Sequence, residues 1–229
     1  MGVAAVLTWA VAFVGTHFVM SHPARAPMVR TLGERGFLGV YSLVSLVTLS
    51  GLIWAYRAAP MEPLWWAPGD LLWAVATAAM LLASVLLIGS LLGNPALPSG
   101  GKPIAMPAEA RGVFAITRHP MMWAFALWAV VHLAVYPVTA NAVLTGAILV
   151  LALVGAAMQD RKKARLEPQT WPRWQAKTSY WPFAAIAAGR ARFGGFRPHD
   201  LAGGVVIWLL ASWAHLPLAG WPAGIWRWL

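Results

Sequence analysis

Two histidines frame the segment of this chain whose residue types could do chemistry. Thr117-Arg118-His119-Pro120 joins a guanidinium, an imidazole and a proline, and the eleven apolar residues after Pro120 end at His132. A guanidinium offers a rigid fork of donors to a carboxylate or phosphate-like anion. A neutral imidazole is a good ligand for iron or zinc. Proline in the first helical turn sacrifices no hydrogen bond, so a helix is predicted to begin at Pro120. His132 then falls well inside an apolar helix, where an ionisable side chain is costly and marks a site by default.

The other titratable residues narrow the chemistry. The chain has no cysteine, which removes disulfides, thiolate metal sites and cysteine nucleophiles and leaves His, Met or oxygen ligands for any metal or haem. Of six histidines, His22 and His199 lie in basic loops and read as solvated surface residues. His17, His119, His132 and His215 lie in or beside apolar helices. Each is either a polar residue bonded to a neighbouring helix carbonyl or hydroxyl, or a haem ligand among the Leu, Val and Trp that suit a porphyrin. A rise of about 1.5 Å per residue puts His17 about 6 Å and both His132 and His215 about 20 Å from the inner surface. Depth therefore matches His17 with His119, and His132 with His215. The seven carboxylates, Asp160 among them, avoid the middle of every apolar run, which argues against a proton relay or ion-coupled transporter. There is no glycine-rich dinucleotide motif, P-loop or zinc-protease motif.

The elements that must position these residues are membrane helices. The sequence is 60% hydrophobic and only 10% charged, with a mean hydropathy of +0.65, where soluble domains carry about 25% charged residues. Apolar runs cover about 3–20, 37–56, 71–92, 120–136, 141–158 and 201–219, each near the roughly 17–25 residues of a spanning helix. The expected fold is an all-α polytopic bundle of about six spans. The net charge of +10 is explained by orientation and by attraction to anionic lipid, so the expected partner is the lipid bilayer and not nucleic acid. Fifteen of the seventeen Lys and Arg residues fall in the alternate loops 21–36, 93–119 and 159–200, leaving Arg57 and Arg227 on the other side. The positive-inside rule then puts both termini outside.

Between the runs, Pro60–Pro68 is short and apolar and is expected at the outer interface. Loop 93–112 is rich in Gly and Pro and is expected to be irregular. Asp160–Leu166 reads as a continuation of the fifth helix past the membrane surface. Trp171-Pro172-Arg173-Trp174 and Tyr180-Trp181-Pro182-Phe183 read as an interfacial turn and re-entry, their aromatics either headgroup anchors or a roof over Arg118.

Three stretches carry a resemblance. Gly15-Thr16-His17-Phe18-Val19-Met20-Ser21, then Leu32-Gly33-Glu34-Arg35-Gly36-Phe37-Leu38-Gly39-Val40-Tyr41-Ser42, together with Arg118-His119-Pro120 and His132, resemble the NnrU family of bacterial membrane proteins. The likeness spans about residues 3–183, as the core of a single domain over 1–229 with a further C-terminal helix at about 201–219. It implies a multi-pass protein of the bacterial inner (cytoplasmic) membrane associated with denitrification, whose partners would be other membrane proteins of nitrogen-oxide metabolism. The zeta-carotene isomerases, similar to that family, are thought to bind haem b through histidines. The resemblance implies His17 and His132 as iron ligands, with Arg118 and His119 as cofactor-binding residues, while the depth match makes His215 the alternative partner. The isomerases' cysteine three residues before the second histidine is Ala129 here, which weighs against polyene isomerisation. The chain is more distantly similar to isoprenylcysteine carboxyl methyltransferases, whose Arg-His-Pro-x-Tyr element and acidic pair hold S-adenosylmethionine. Here Met122 stands for the tyrosine and Gln159-Asp160 for the acidic pair, which puts methyl transfer in doubt.

Overall fold

A computed structural model describes residues 2–97 and 106–229. The described residues form helices and connecting turns without a strand. The helices are α1 (Val3–Ser21), α2 (Arg25–Arg57), α3 (Asp70–Gly89), α4 (Val113–Ile116), α5 (Pro120–Val135), α6 (Thr139–Leu166), α7 (Trp171–Lys177), α8 (Ala184–Ala187) and α9 (Pro198–Ala219), closed by a 3-10 turn at Gly224–Arg227. Five of them, α1, α2, α3, α6 and α9, are long and apolar enough to cross a membrane. The sixth expected span, α5, is apolar but has 16 residues, about 24 Å of helix against a hydrocarbon core of about 30 Å.

Neighbouring helices follow the order α2, α1, α6, α5, α3, α9. Small residues allow the closest approaches. A Cβ on Gly204 of α9 would stand 2.7 Å from the Cα of Val85 in α3, so glycine is required where these two helices touch. Two apolar cores result. One gathers Val6, Ala10, Phe13, Leu52, Ala55, Ala140 and Leu144 from α1, α2 and α6. The other gathers Val85, Leu86, Val113, Phe114, Ile116, Ala124, Trp171 and Trp174 around the end of α3 and the start of α5.

Three local expectations are corrected or extended. The basic stretch 21–36 is mostly helix rather than loop: α2 starts at Arg25 and bends at Gly33, whose φ of 71° and ψ of 169° break the helical geometry. The bend sits where the basic stretch gives way to the apolar run, and an Arg25–Glu34 ion pair of 2.7 Å bridges it. Trp171 and Trp174 belong to a short helix and are 0% and 2% exposed, so they are core residues and not headgroup anchors. Trp181 and Phe183 do stay exposed. As expected, α6 runs on to Leu166. In loop 93–112, residues 98–105 lie outside the described residues.

At the opposite end of α6, loop 60–68 is tied to the turn between α5 and α6. The Trp65 amide donates to the Pro137 carbonyl at 2.9 Å, and the Trp66 indole donates to the Ala134 carbonyl at 2.9 Å. Glu62 accepts the Thr139 amide at the start of α6.

Candidate functional site

The Arg118 region is built by two segments lying side by side. After α4, Thr117 is extended (φ −155°, ψ 151°). The Arg118 amide donates to the Ser179 carbonyl at 2.9 Å, and the Phe183 amide donates to the Ile116 carbonyl at 2.8 Å. The Thr117 hydroxyl donates to the Tyr180 carbonyl at 2.8 Å, and the Trp123 indole reaches the same oxygen at 2.9 Å. Proline at the start of α5 then lets the helix begin immediately after His119.

This frame delivers both side chains to Asp160. Arg118 Nε donates to the two carboxylate oxygens at 3.0 and 2.8 Å, and Nη2 also bonds Oδ2. His119 Nε2 lies 2.7 Å from Oδ1. Asp160 stands 21 residues into α6, about 32 Å along the helix axis and so near the far boundary of the hydrocarbon core. The three residues are buried, with His119 only 2% exposed. Because a carboxylate only accepts, His119 Nε2 carries a proton in this contact, and Nδ1 is buried without a hydrogen-bond partner among the described residues. Trp171 and Tyr180 flank the imidazole at centroid distances of 6.4 and 5.9 Å. The Tyr180 hydroxyl donates to the Leu153 carbonyl at 2.7 Å. Burial, and secondarily the Asp160 charge, push the Tyr180 phenol above its usual pKa and keep it a donor.

Arg118 therefore faces an internal carboxylate, where the sequence suggested an outside anion. Asp160 is the residue that sequence reasoning missed. Its signal lay in the Gln159-Asp160 dipeptide at the place of an acidic pair. Beside the triad, a groove of about 590 Å³ is lined by Leu153, Ala157, Met158, Asp160, Tyr180 and Trp181.

The remaining histidines are built differently. His17 Nδ1 donates to the Phe13 carbonyl at 2.7 Å, and its ring packs on Phe13 and Tyr41, between α1 and α2. His132 occupies the last turn of α5 rather than its middle. Its Nδ1 donates to the Trp128 carbonyl at 2.8 Å, and its ring stacks on Trp128 with centroids 4.1 Å apart. Asn141 of α6 closes that helix end by donating to the His132 and Tyr136 carbonyls at 2.9 and 2.6 Å. His215 of α9 repeats the pattern, with Nδ1 donating to the Ala211 carbonyl at 2.7 Å.

The rings of His132 and His215 stand 5.8 Å apart, tilted by 33°. The structure brings these two together, while His17 has Tyr41 as its neighbour across the helix contact. At the end of α1, Ser21 Oγ bonds His22 Nδ1 at 2.7 Å, and in the first turn of α9 His199 Nε2 lies 2.9 Å from a fully buried Asp200.

The family model for NnrU protein matches residues 5–223. The chain belongs to the NnrU family. The match runs from α1 through α9, so both His132 and His215 lie within the family region, as do Arg118, His119 and Asp160. No characterised protein and no solved structure matches this NnrU-family chain.

Proposed function

We propose that this NnrU-family membrane protein binds haem b between α5 and α9 and supports nitrogen-oxide metabolism in the bacterial inner membrane, with six spans and both termini outside. The observation that carries the reading is the His132–His215 pair. In both residues Nδ1–H is used by a carbonyl of the same helix, which fixes the tautomer and leaves Nε2 with a free lone pair. Histidines that ligate metals are oriented by this kind of bond. The two rings stand 5.8 Å apart, close enough for His132 and His215 to hold one haem iron between them.

The rest of the donor set fits the same group. Among the described residues no three His, Asp or Glu side chains gather to hold a bare metal ion. Haem would ask fewer ligands of the protein than a bare ion does, and His132 and His215 would supply them. The sequence left His17 and His215 as alternative partners for His132, and the ring geometry favours His215. When bound, haem would supply one-electron redox chemistry. The chain's own part is to hold the two imidazoles, to keep their Nδ1 protons on backbone oxygens, and to stack Trp128 behind His132.

A second reading, an S-adenosylmethionine-dependent methyltransferase acting on an apolar substrate, is favoured by the groove beside Asp160 and Tyr180. The two readings are separated by purification in mild detergent, addition of haem and measurement of the visible spectrum. Haem binding predicts a low-spin spectrum in the parent protein and in His17→Ala, lost in His132→Ala and His215→Ala. A protein that stays colourless with haem but binds S-adenosylmethionine, and loses that binding in Arg118→Ala, would replace the first reading with the second.

A further inference from the structure

Away from both sites, a cavity of about 840 Å³ opens between the segment before α4, the end of α7 and the chain that leads into α9. Five cations line it: Arg111, Lys177, Arg190, Arg192 and Arg197. The carboxylates bonded to them are Glu109, which pairs with Arg111, and Asp200, which pairs with Arg197. Five positive against two negative charges leave a surplus of three. We propose that this cavity binds the phosphate group of an anionic ligand at the membrane surface.

The surplus cations are held in place by groups that do not neutralise them. Arg190 Nη1 donates to the carbonyls of Gln175, Ala176 and Thr178 at 3.2, 3.0 and 3.0 Å, at the end of α7. Lys177 Nζ donates to the Ala108 carbonyl at 2.6 Å. Neutral oxygens fix these side chains and leave their charge available. Arg192 is exposed and makes no hydrogen bond or ion pair among the described residues. Arginine forks set around a concave wall are the arrangement that recognises phosphate oxygens in pairs.

Gly194 lines the same wall, and a Cβ added there would meet nothing within 4 Å, so a side chain can be placed there without displacing protein atoms. The cavity volume falls within the roughly 300–1,000 Å³ of small-molecule sites and exceeds what a lone phosphate ion needs. The cavity also adjoins Pro198, where α9 begins, which sets it at one surface of the bilayer. Two sources share the required chemistry: a phospholipid headgroup with net negative charge, and a soluble phosphorylated compound.

The test titrates the detergent-purified full chain with dioleoylphosphatidylglycerol, dioleoylphosphatidylcholine and sodium pyrophosphate, reading lipid retention by native mass spectrometry and pyrophosphate by calorimetry. Arg192→Gln removes an unpaired cation, and Gly194→Val fills the cavity without changing charge. Arg30→Gln, an exposed cation in the other basic stretch, is the control. Binding of phosphatidylglycerol over phosphatidylcholine, weakened about tenfold by Arg192→Gln and by Gly194→Val but not by Arg30→Gln, establishes a lipid headgroup site. Pyrophosphate binding with the same dependence establishes a soluble ligand. Binding of neither probe, or equal weakening by Arg192→Gln and Arg30→Gln with no effect of Gly194→Val, would overturn the proposal. Circular dichroism of each variant establishes that the helices are intact.

Discussion

The Arg118–His119–Asp160 cluster and the His132–His215 pair are both polar groups set in an apolar bundle, and they are built to opposite designs. In the first, cation, imidazole and carboxylate are joined by direct bonds, and the cluster ties α4 and α5 to α6. In the second, each imidazole spends one nitrogen on its own helix and keeps the other free. His119 commits Nε2 to Asp160 and keeps only Nδ1 without a partner. His132 and His215 have no ion-pair partner among the described residues, and their rings lie 5.8 Å apart. Motif spelling drew attention to Arg118, His119 and His132, whereas the ring contact adds His215.

The largest effect expected is on the closed cluster. Asp160→Leu leaves Arg118 buried without a counter-charge and should cost about 3–5 kcal/mol, read as a lowered unfolding midpoint in detergent. Gly204→Val should cost about 1–3 kcal/mol by overpacking against Val85. Because it displaces the helix that carries His215, it should also weaken haem uptake, which spectral titration would measure. Tyr180→Phe removes the bond to Leu153 and should cost about 1 kcal/mol without touching haem. Smallest is His132→Leu, which should leave stability within about 1 kcal/mol of the parent while abolishing the low-spin spectrum. A large loss of stability in that variant would erase the distinction between the two regions.

Much of this could be read from sequence, because lipid imposes a simple rule on helix length. The positions of α1, α3, α6 and α9 follow from apolar runs, and Pro120 marks the start of α5. The start of α2 at Arg25 did not follow, since nothing apolar marks a helix whose first turns carry Arg25, Arg30 and Glu34. Trp171 and Trp174 were ambiguous for a different reason. Tryptophan suits both an interface and a core, and only the packing of α7 on Phe114 and His119 decides between them. Asp160 was legible as the surviving half of an acidic pair, but its partners stand 41 and 42 residues away. Helical rise matched His132 with His215 in depth. Which helices bring them side by side is a matter of tertiary order, with α3 packed against both α5 and α9.

The most direct test measures two quantities on the same samples of the parent protein, His119→Leu and His132→Leu: the thermal unfolding midpoint and the Soret absorbance after haem is supplied. The account predicts that His119→Leu unfolds at lower temperature yet keeps its haem spectrum, and that His132→Leu unfolds like the parent and is colourless. A colourless His119→Leu beside a coloured His132→Leu would contradict it.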